Sequence, residues 1–348
     1  MTSDSAAVAP PLTEKPRGKI LVIRGGAIGD FILTLPVFTA LRRHFRETRL
    51  EVLGYPHIAQ LALAGGLVDA VHSIEARALA GFFARRGQLD ECLAGYFSGF
   101  AVILSFLYDP DGIFRENVAC CSKAQFIAGL HRPDERLNRH ATEVLLEPLA
   151  RLAIFNPDPV PRLTLAEPPA SGQVVPRPCG LTTGVVEFAR PADRDACDGG
   201  ESLALHPGSG SEKKNWPEER WRETILHLLD NTDLRFLLVG GEAEGDRLKR
   251  LSAIFPAARI QVAQNLSLID LAKRLKRCVG FVGHDSGITH LAAALGLPGL
   301  VLWGDTNESI WRPRGERMVL LRHPQGLAQI PVEQVIGQLR GLLPASGV

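Results

Sequence analysis

VGFVGHDSGITHLAAALGLPGLVLWG, Val279 to Gly304, is the stretch whose reading decides the fold. It opens on a continuous apolar run, as expected of a strand buried on both faces of a sheet. That strand ends at His284, and Asp285-Ser286-Gly287 turn the chain into the helical stretch ITHLAAAL. Gly296 suits the position just past a helix, and Pro298 blocks continuation before GLVLWG forms the next strand. The helix therefore begins at the carboxyl end of its strand, where a positive dipole end and free N–H groups attract a phosphate. Asp285, at the same turn, can accept hydrogen bonds from sugar hydroxyls. His284 and His290 lack companion ligands at a recognisable spacing, so they do not read as a metal site.

The same alternation extends outward in both directions. SLALHPG, FLLVGG (Phe236 to Gly241) and VGFVGH read as strands, separated by the helices PEERWRETILHLLD and SLIDLAKRLKRC. Ser267 and Asp270 have capping-box spacing in the second helix, and Pro217 suits the first turn of the other. Upstream, ILVIR (Ile20 to Arg24), RLEVLGY, GLVDAVHSI, FAVILSF (Phe100 to Phe106) and QFIAGL (Gln125 to Leu130) supply a second set of strands. An amphipathic stretch from about Asp30 to Phe45 follows the first of them, interrupted by Pro36. Alternating strands and helices imply βαβ units and mainly parallel sheets. The expected organisation is two Rossmann-like halves, residues 19–166 and 202–328, with ligands at the carboxyl ends of their strands. Residues 167–201, rich in Pro and Gly, read as an enlarged linker, and residues 1–18 as a disordered tail.

Two further segments carry chemistry. HPGSGSEKKNWPEERW (His206 to Trp221) runs from a strand through a Gly/Ser loop into a helix. Backbone N–H groups, the Ser209 hydroxyl and a lysine ammonium make a competent diphosphate cradle, although the Walker spacing is absent. A polar surface loop with two solvated lysines is the bland reading. RGGAIGD (Arg24 to Asp30) is a glycine-rich turn that lets a substrate approach the backbone. Asp30 closes it, either as a group pointing into the cleft or as a simple helix cap. A dinucleotide fingerprint is not met, because Arg24 stands where its first glycine belongs. Asp109-Pro110-Asp111-Gly112 contains a DxD pair but reads as a turn after a strand.

Composition narrows the class. Over 348 residues, 39 Lys and Arg face 38 acidic residues, a balance that argues against a general nucleic-acid binder. The basic clusters Arg42, Arg43, Arg46 and Arg49, and Arg132, Arg136 and Arg139, read as solvated faces or as contacts to an anionic substrate or membrane surface. Cys92, Cys120, Cys121, Cys179, Cys197 and Cys278 show no CxxC pair, which suits free thiols in a reducing cytosol. No stretch approaches the roughly 18 apolar residues of a membrane span, so a cytoplasmic location is expected.

Together, KILVIRGGAIGDFILTLPVFTALRRHF, HPGSGSEKKNWPEERW and GHDSGITHLAAALGLPGLVLWG resemble the signatures of glycosyltransferase family 9, the bacterial ADP-heptose:lipopolysaccharide heptosyltransferases. The resemblance implies a GT-B architecture: two Rossmann-like domains with mainly parallel sheets facing a central cleft. It implies an inverting transfer of a heptose from a sugar nucleotide to a lipopolysaccharide-type glycolipid, with no cofactor and no catalytic metal. The enzyme would work in the cytoplasm, with peripheral contact at the inner membrane. By position, Asp30 becomes the catalytic base, beside a cleft turn of Arg24, Gly25, Gly26 and Gly29. Ser209 and Lys214 would bind the donor diphosphate, Asp285 the sugar, and Ser286, Gly287, Ile288 and Thr289 the phosphate at the helix start. Glu244 falls near the ribose and Leu266 near the adenine. A C-terminal helix within residues 329–348 would pack back across the first domain. SFLYDPDGIFRE departs from the D-x-x-G region usually found facing the acceptor. Rival readings are a 2-epimerase of the same architecture, a silent sugar-nucleotide-binding protein, and a nicotinamide oxidoreductase weakened by the missing fingerprint.

Overall fold

The computed structural model describes residues 18–165, 201–253 and 255–343. The expected tail and most of the linker lie outside the described residues. In the first half, strands β1 (Lys19–Arg24), β2 (Arg49–Gly54), β3 (Ala70–Ser73), β4 (Val102–Ser105) and β5 (Gln125–Ala128) alternate with helices. Those helices are α1 (Ile28–Ile32), α2 (Leu35–His44), α3 (Pro56–Ala64), α4 (Glu91–Ser98), α5 (Ile113–Cys121) and α6 (Ala141–Leu146). The second half runs β6 (Ser202–Leu205), α7 (Glu218–Asn231), β7 (Arg235–Gly240), α8 (Gly245–Ser252), β8 (Ile260–Gln264) and α9 (Leu268–Lys276). It continues with β9 (Gly280–His284), α10 (Gly287–Ala294), β10 (Gly299–Leu302), α11 (Glu308–Trp311), β11 (Met318–Leu321) and α12 (Val332–Leu342).

The first sheet has the order β3-β2-β1-β4-β5 and the second β11-β10-β9-β6-β7-β8, every neighbouring pair parallel. Each sheet reverses direction once, between β1 and β4 and between β6 and β9. Crevices at such switch points are where α/β sheets bind ligands, outside the carboxyl ends of the strands. The glycine-rich turn leaves β1, and the Gly/Ser loop and the Asp285 turn leave β6 and β9. All three chemistry-bearing segments therefore sit at switch points.

The stretch from Asp30 to Phe45 forms two helices rather than one. Pro36 enters at the first turn of α2, so the break falls just before it, at Leu33 and Thr34. Its missing N–H costs nothing at a helix start and would cost a bond in a helix interior. Ser267 caps α9, its hydroxyl accepting from the Asp270 amide at 3.1 Å.

One hydrophobic cluster runs continuously through both halves, from Val22, Phe38 and Val52 to Ala204, Leu271 and Leu291. Helix α3 packs on α9, and α1 on α10. Leu163 N donates to Ala294 O at 2.8 Å, and His140 Nε2 to Arg312 O at 2.9 Å, further tying the halves together. The expectation that the C-terminal helix crosses back to the first domain needs correction. α12 packs on α7 and β10, burying Val332, Val335, Ile336 and Leu339 against Leu203, Trp216 and Leu300 of its own half. The apolar stripe of an amphipathic helix fixes that it docks, not on which sheet. Trp216 Nε1 and Arg220 Nη1 donate to Ile330 O at 3.1 and 3.0 Å and anchor the entry to α12 there.

Candidate active site

The two switch points face each other across a cleft of about 680 Å³. Arg24, Gly25, Gly26, Gly29 and Asp30 line it from the first half, and Ser209, Lys214, Asp285, Ser286 and Gly287 from the second. An adjoining hollow of about 590 Å³ shares Gly26, Gly29, Ser209, Ser286 and Gly287 and adds Glu244 and Ile288. Segments some 180 to 260 residues apart thus converge as their motifs anticipated. Two assigned residues stand back. Thr289 is fully buried, its hydroxyl bonded to His284 O and, at 3.1 Å, to Ser286 Oγ. Leu266 lines neither cavity and rests partly buried against the core.

Asp30 occupies the third position of α1, not the cap itself. Its Oδ2 reaches back to accept from the Ala27 amide, the helix cap, at 3.0 Å. Its Oδ1 lies 3.8 Å from Arg24 Nη2, and about a third of the side chain is exposed to the cleft. Capping and availability therefore coexist: one oxygen holds the turn, the other faces the cavity. Arg24 is buried at 4% exposure, with Nη1 donating to His131 O at 2.9 Å and Nη2 to Asp30 O at 3.1 Å. Burial lowers its pKa and the Asp30 charge opposes that. It fixes the aspartate's helix against the loop around His131.

The second half supplies a dense polar arrangement. Lys214 Nζ and Thr306 Oγ1 both donate to Asp285 Oδ2, at 2.7 and 2.6 Å. Ser286 caps α10, accepting from Thr289 N at 3.3 Å, so the remaining amides of the first turn open toward the cleft. Glu244 bridges two glycine loops, Oε1 accepting from Gly210 N at 3.1 Å and Oε2 from Gly241 N at 2.9 Å. Ser209 Oγ donates locally, to Ser211 O or Asn215 Oδ1.

The histidines of these loops are struts. His284 Nε2 accepts from Trp216 N at 2.9 Å, which leaves Nδ1–H to donate to Gly208 O at 3.2 Å. Both ring nitrogens are committed, and burial depresses its pKa to about 3. His206, equally enclosed, is pushed by burial to about 4 against the pull of Glu244. His290 is also pushed down by burial, opposed by Asp285 and Asp30. Among the described residues no group of three His, Cys, Asp or Glu could hold a metal ion. Asp109 reaches over the start of α5, its oxygens accepting from Phe114 N and Arg115 N at 3.1 and 3.0 Å.

The halves touch where α1 and α10 meet. A Cβ on Gly287 would lie 2.7 Å from Ile28 Cβ and 2.9 Å from Gly29 N. Glycine at position 287 is a condition of that approach. Sequence reasoning missed Thr306, Trp311, Tyr108 and His131 on the cleft wall. For Thr306 a signal existed: it lies four residues beyond the carboxyl end of β10.

Two Rossmann-like parallel sheets with opposed switch points and a shared cleft define the GT-B class of fold. Residues 182–334 match the sequence model of glycosyltransferase family 9 (heptosyltransferase). The match covers less than half of the chain. That match begins inside the segment expected to be an insertion. Lipopolysaccharide heptosyltransferase 1 of Escherichia coli (strain K12) is 31% identical over 147 residues, 42% of this chain. The matched stretch spans 45% of that relative's length. In structure the chain resembles a glycosyl transferase family 9 protein from Veillonella parvula DSM 2008, with TM-score 0.72 and 18% identity over 93% of this chain and 97% of the other. It also resembles E. coli heptosyltransferase WaaC with ADP, with TM-score 0.65 and 21% identity over 93% and 99%. These likenesses are of fold.

Proposed function

We propose that the chain is an inverting glycosyltransferase that moves a heptose from ADP-heptose to a lipopolysaccharide-type glycolipid in the cytoplasm, at the inner face of the membrane. The observation that carries the reading is the placement of Asp30 and of Lys214, Asp285 and the α10 start on opposite walls of one cleft. An acceptor hydroxyl between the walls gives its proton to Asp30 Oδ1 as its oxygen attacks the anomeric carbon. The nucleoside diphosphate leaves from the opposite face, its growing charge met by Lys214 and by the amides at Ser286 to Ile288. An ordinary aspartate, with pKa near ~3.9, is a weak base, but the attacking hydroxyl acidifies as its bond forms. In this reading no metal and no cofactor take part. Arg24 keeps the base in register with the loop around His131. No helix among the described residues is long and apolar enough to cross a membrane, which fits peripheral rather than integral attachment.

Thermal-shift titration with ADP, UDP and GDP tests the donor. A ligand that binds only the folded state stabilises it in proportion to ln(1 + [L]/Kd), so ADP should give the largest shift. Equal shifts, or a preference for UDP, would turn the reading toward another sugar-nucleotide enzyme of the same architecture.

A further inference from the structure

Asp285 receives two hydrogen bonds on one oxygen. Lys214 Nζ and Thr306 Oγ1 both reach Oδ2, while the carboxylate as a whole is only 12% exposed on the cleft wall. The two donors differ in freedom. Lys214 is half-exposed at the end of a flexible stem, on the loop that follows β6. Thr306 is fixed: its carbonyl accepts from Trp303 Nε1 at 2.8 Å, and the buried Trp303 follows β10 directly. Asn307, next in the chain, caps α11 by accepting from Ser309 N at 3.1 Å. The short turn carrying Thr306 is thus pinned on both sides.

A diphosphate entering this cleft presents a stronger anion to Lys214 than one carboxylate does. If Lys214 were the sole partner of Asp285, its departure would leave a nearly buried carboxylate unpaired, which is costly. We infer that Thr306 is a specificity-determining positioning residue, holding Asp285 aimed at the hydroxyls of the transferred sugar while Lys214 passes from Asp285 to the donor diphosphate. Oδ2 stays bonded to the Thr306 hydroxyl, and Oδ1 accepts from the sugar. The Lys214–Asp285 pair is then the resting arrangement of the site, and Thr306 is the group that makes its opening affordable. This inference rests on reading the cleft as a sugar-nucleotide site.

The test compares Thr306→Val and Thr306→Ser with the wild-type chain, measuring Kd by calorimetry for ADP and for ADP-heptose. Valine keeps the shape and removes the donor. Thr306→Val should bind ADP several-fold more weakly, because Lys214 then leaves behind a carboxylate with no donor, and ADP-heptose about tenfold more weakly still, because the aim at the sugar is lost as well. Thr306→Ser should restore the sugar-dependent part. Equal weakening of both ligands, wild-type binding of ADP-heptose by Thr306→Val, or failure of serine to rescue overturns the role of Thr306 alone. A wild-type chain that binds neither ligand overturns the functional reading and this inference with it.

Discussion

Acidification from about pH 7.5 to about pH 5.5 should destabilise the chain by several kcal/mol, because its loop-supporting histidines are folded in as neutral rings. His206 and His284 are buried in the second half, with pKa values pushed by burial to about 4 and about 3. The unfolded chain regains an ordinary imidazole near ~6.5. Below that value the unfolded state takes up protons that the native state refuses, so stability falls with pH and levels off only near the folded pKa. Over the stated interval each ring contributes about 1.3 kcal/mol, or about 2.7 kcal/mol for the pair. His140 and His290, also pushed down by burial, act in the same direction. Glu51, held at about 2 because its bonds to His72 and Arg49 outweigh its burial, adds nothing in this window and begins to matter below about pH 4.5. Urea unfolding at the two pH values reads the difference. Asparagine takes no proton, so His206→Asn, whatever its baseline stability, should lose about 1.3 kcal/mol less between them. Equal stability at both pH values would refute the burial of neutral imidazoles beneath the donor loops.

Lys214→Ala should weaken ADP binding by about 1.5–3 kcal/mol, a factor of roughly 10–150 in Kd, and EDTA should leave wild-type turnover unchanged. Turnover that vanishes with EDTA and returns with magnesium would point to a divalent ion on the DxD pair, Asp109 and Asp111. Gly287→Ala pushes a methyl against Ile28 and the Gly29 backbone, and should cost about 1–3 kcal/mol of stability together with a fall in turnover. A variant with unchanged melting temperature and rate would show that the close approach of α1 and α10 does not matter.

The architecture was legible because its central strands are buried on both faces. ILVIR, FLLVGG and VGFVGH are continuous apolar runs, and each becomes a strand within a residue or so of its expected bounds. The edge strands of the second sheet were not legible. β8, at one edge, exposes Val262 and carries glutamine at two of its five positions, so it lacks an apolar run. β11 is four residues long with one buried side chain. In the site, residues adjoining a strand's carboxyl end inside a recognisable motif were found, and those on wall loops without one were not. Tyr108, His131 and Trp311 reach the cleft through tertiary packing that no local pattern records. The docking of α12 failed for a similar reason: its stripe is local, but its partner sheet is set by the anchorage of Ile330. Asp30 was read as either a cap or a base, and the structure shows one oxygen holding the turn while about a third of the side chain stays exposed.

The central claim is that Asp30 takes the acceptor's proton, and Asp30→Asn tests it most directly. Asparagine retains an oxygen to accept from the Ala27 amide, so the turn and the melting temperature should hold. What it loses is the capacity to accept a proton, and general-base catalysis contributes about 10²–10⁴-fold. Transfer from ADP-heptose to a lipopolysaccharide acceptor should fall by that range while the Kd for ADP stays within about twofold. Near-normal turnover in Asp30→Asn, with the fold intact, would contradict the account by leaving Asp30 as a helix cap and the proposed mechanism without its base.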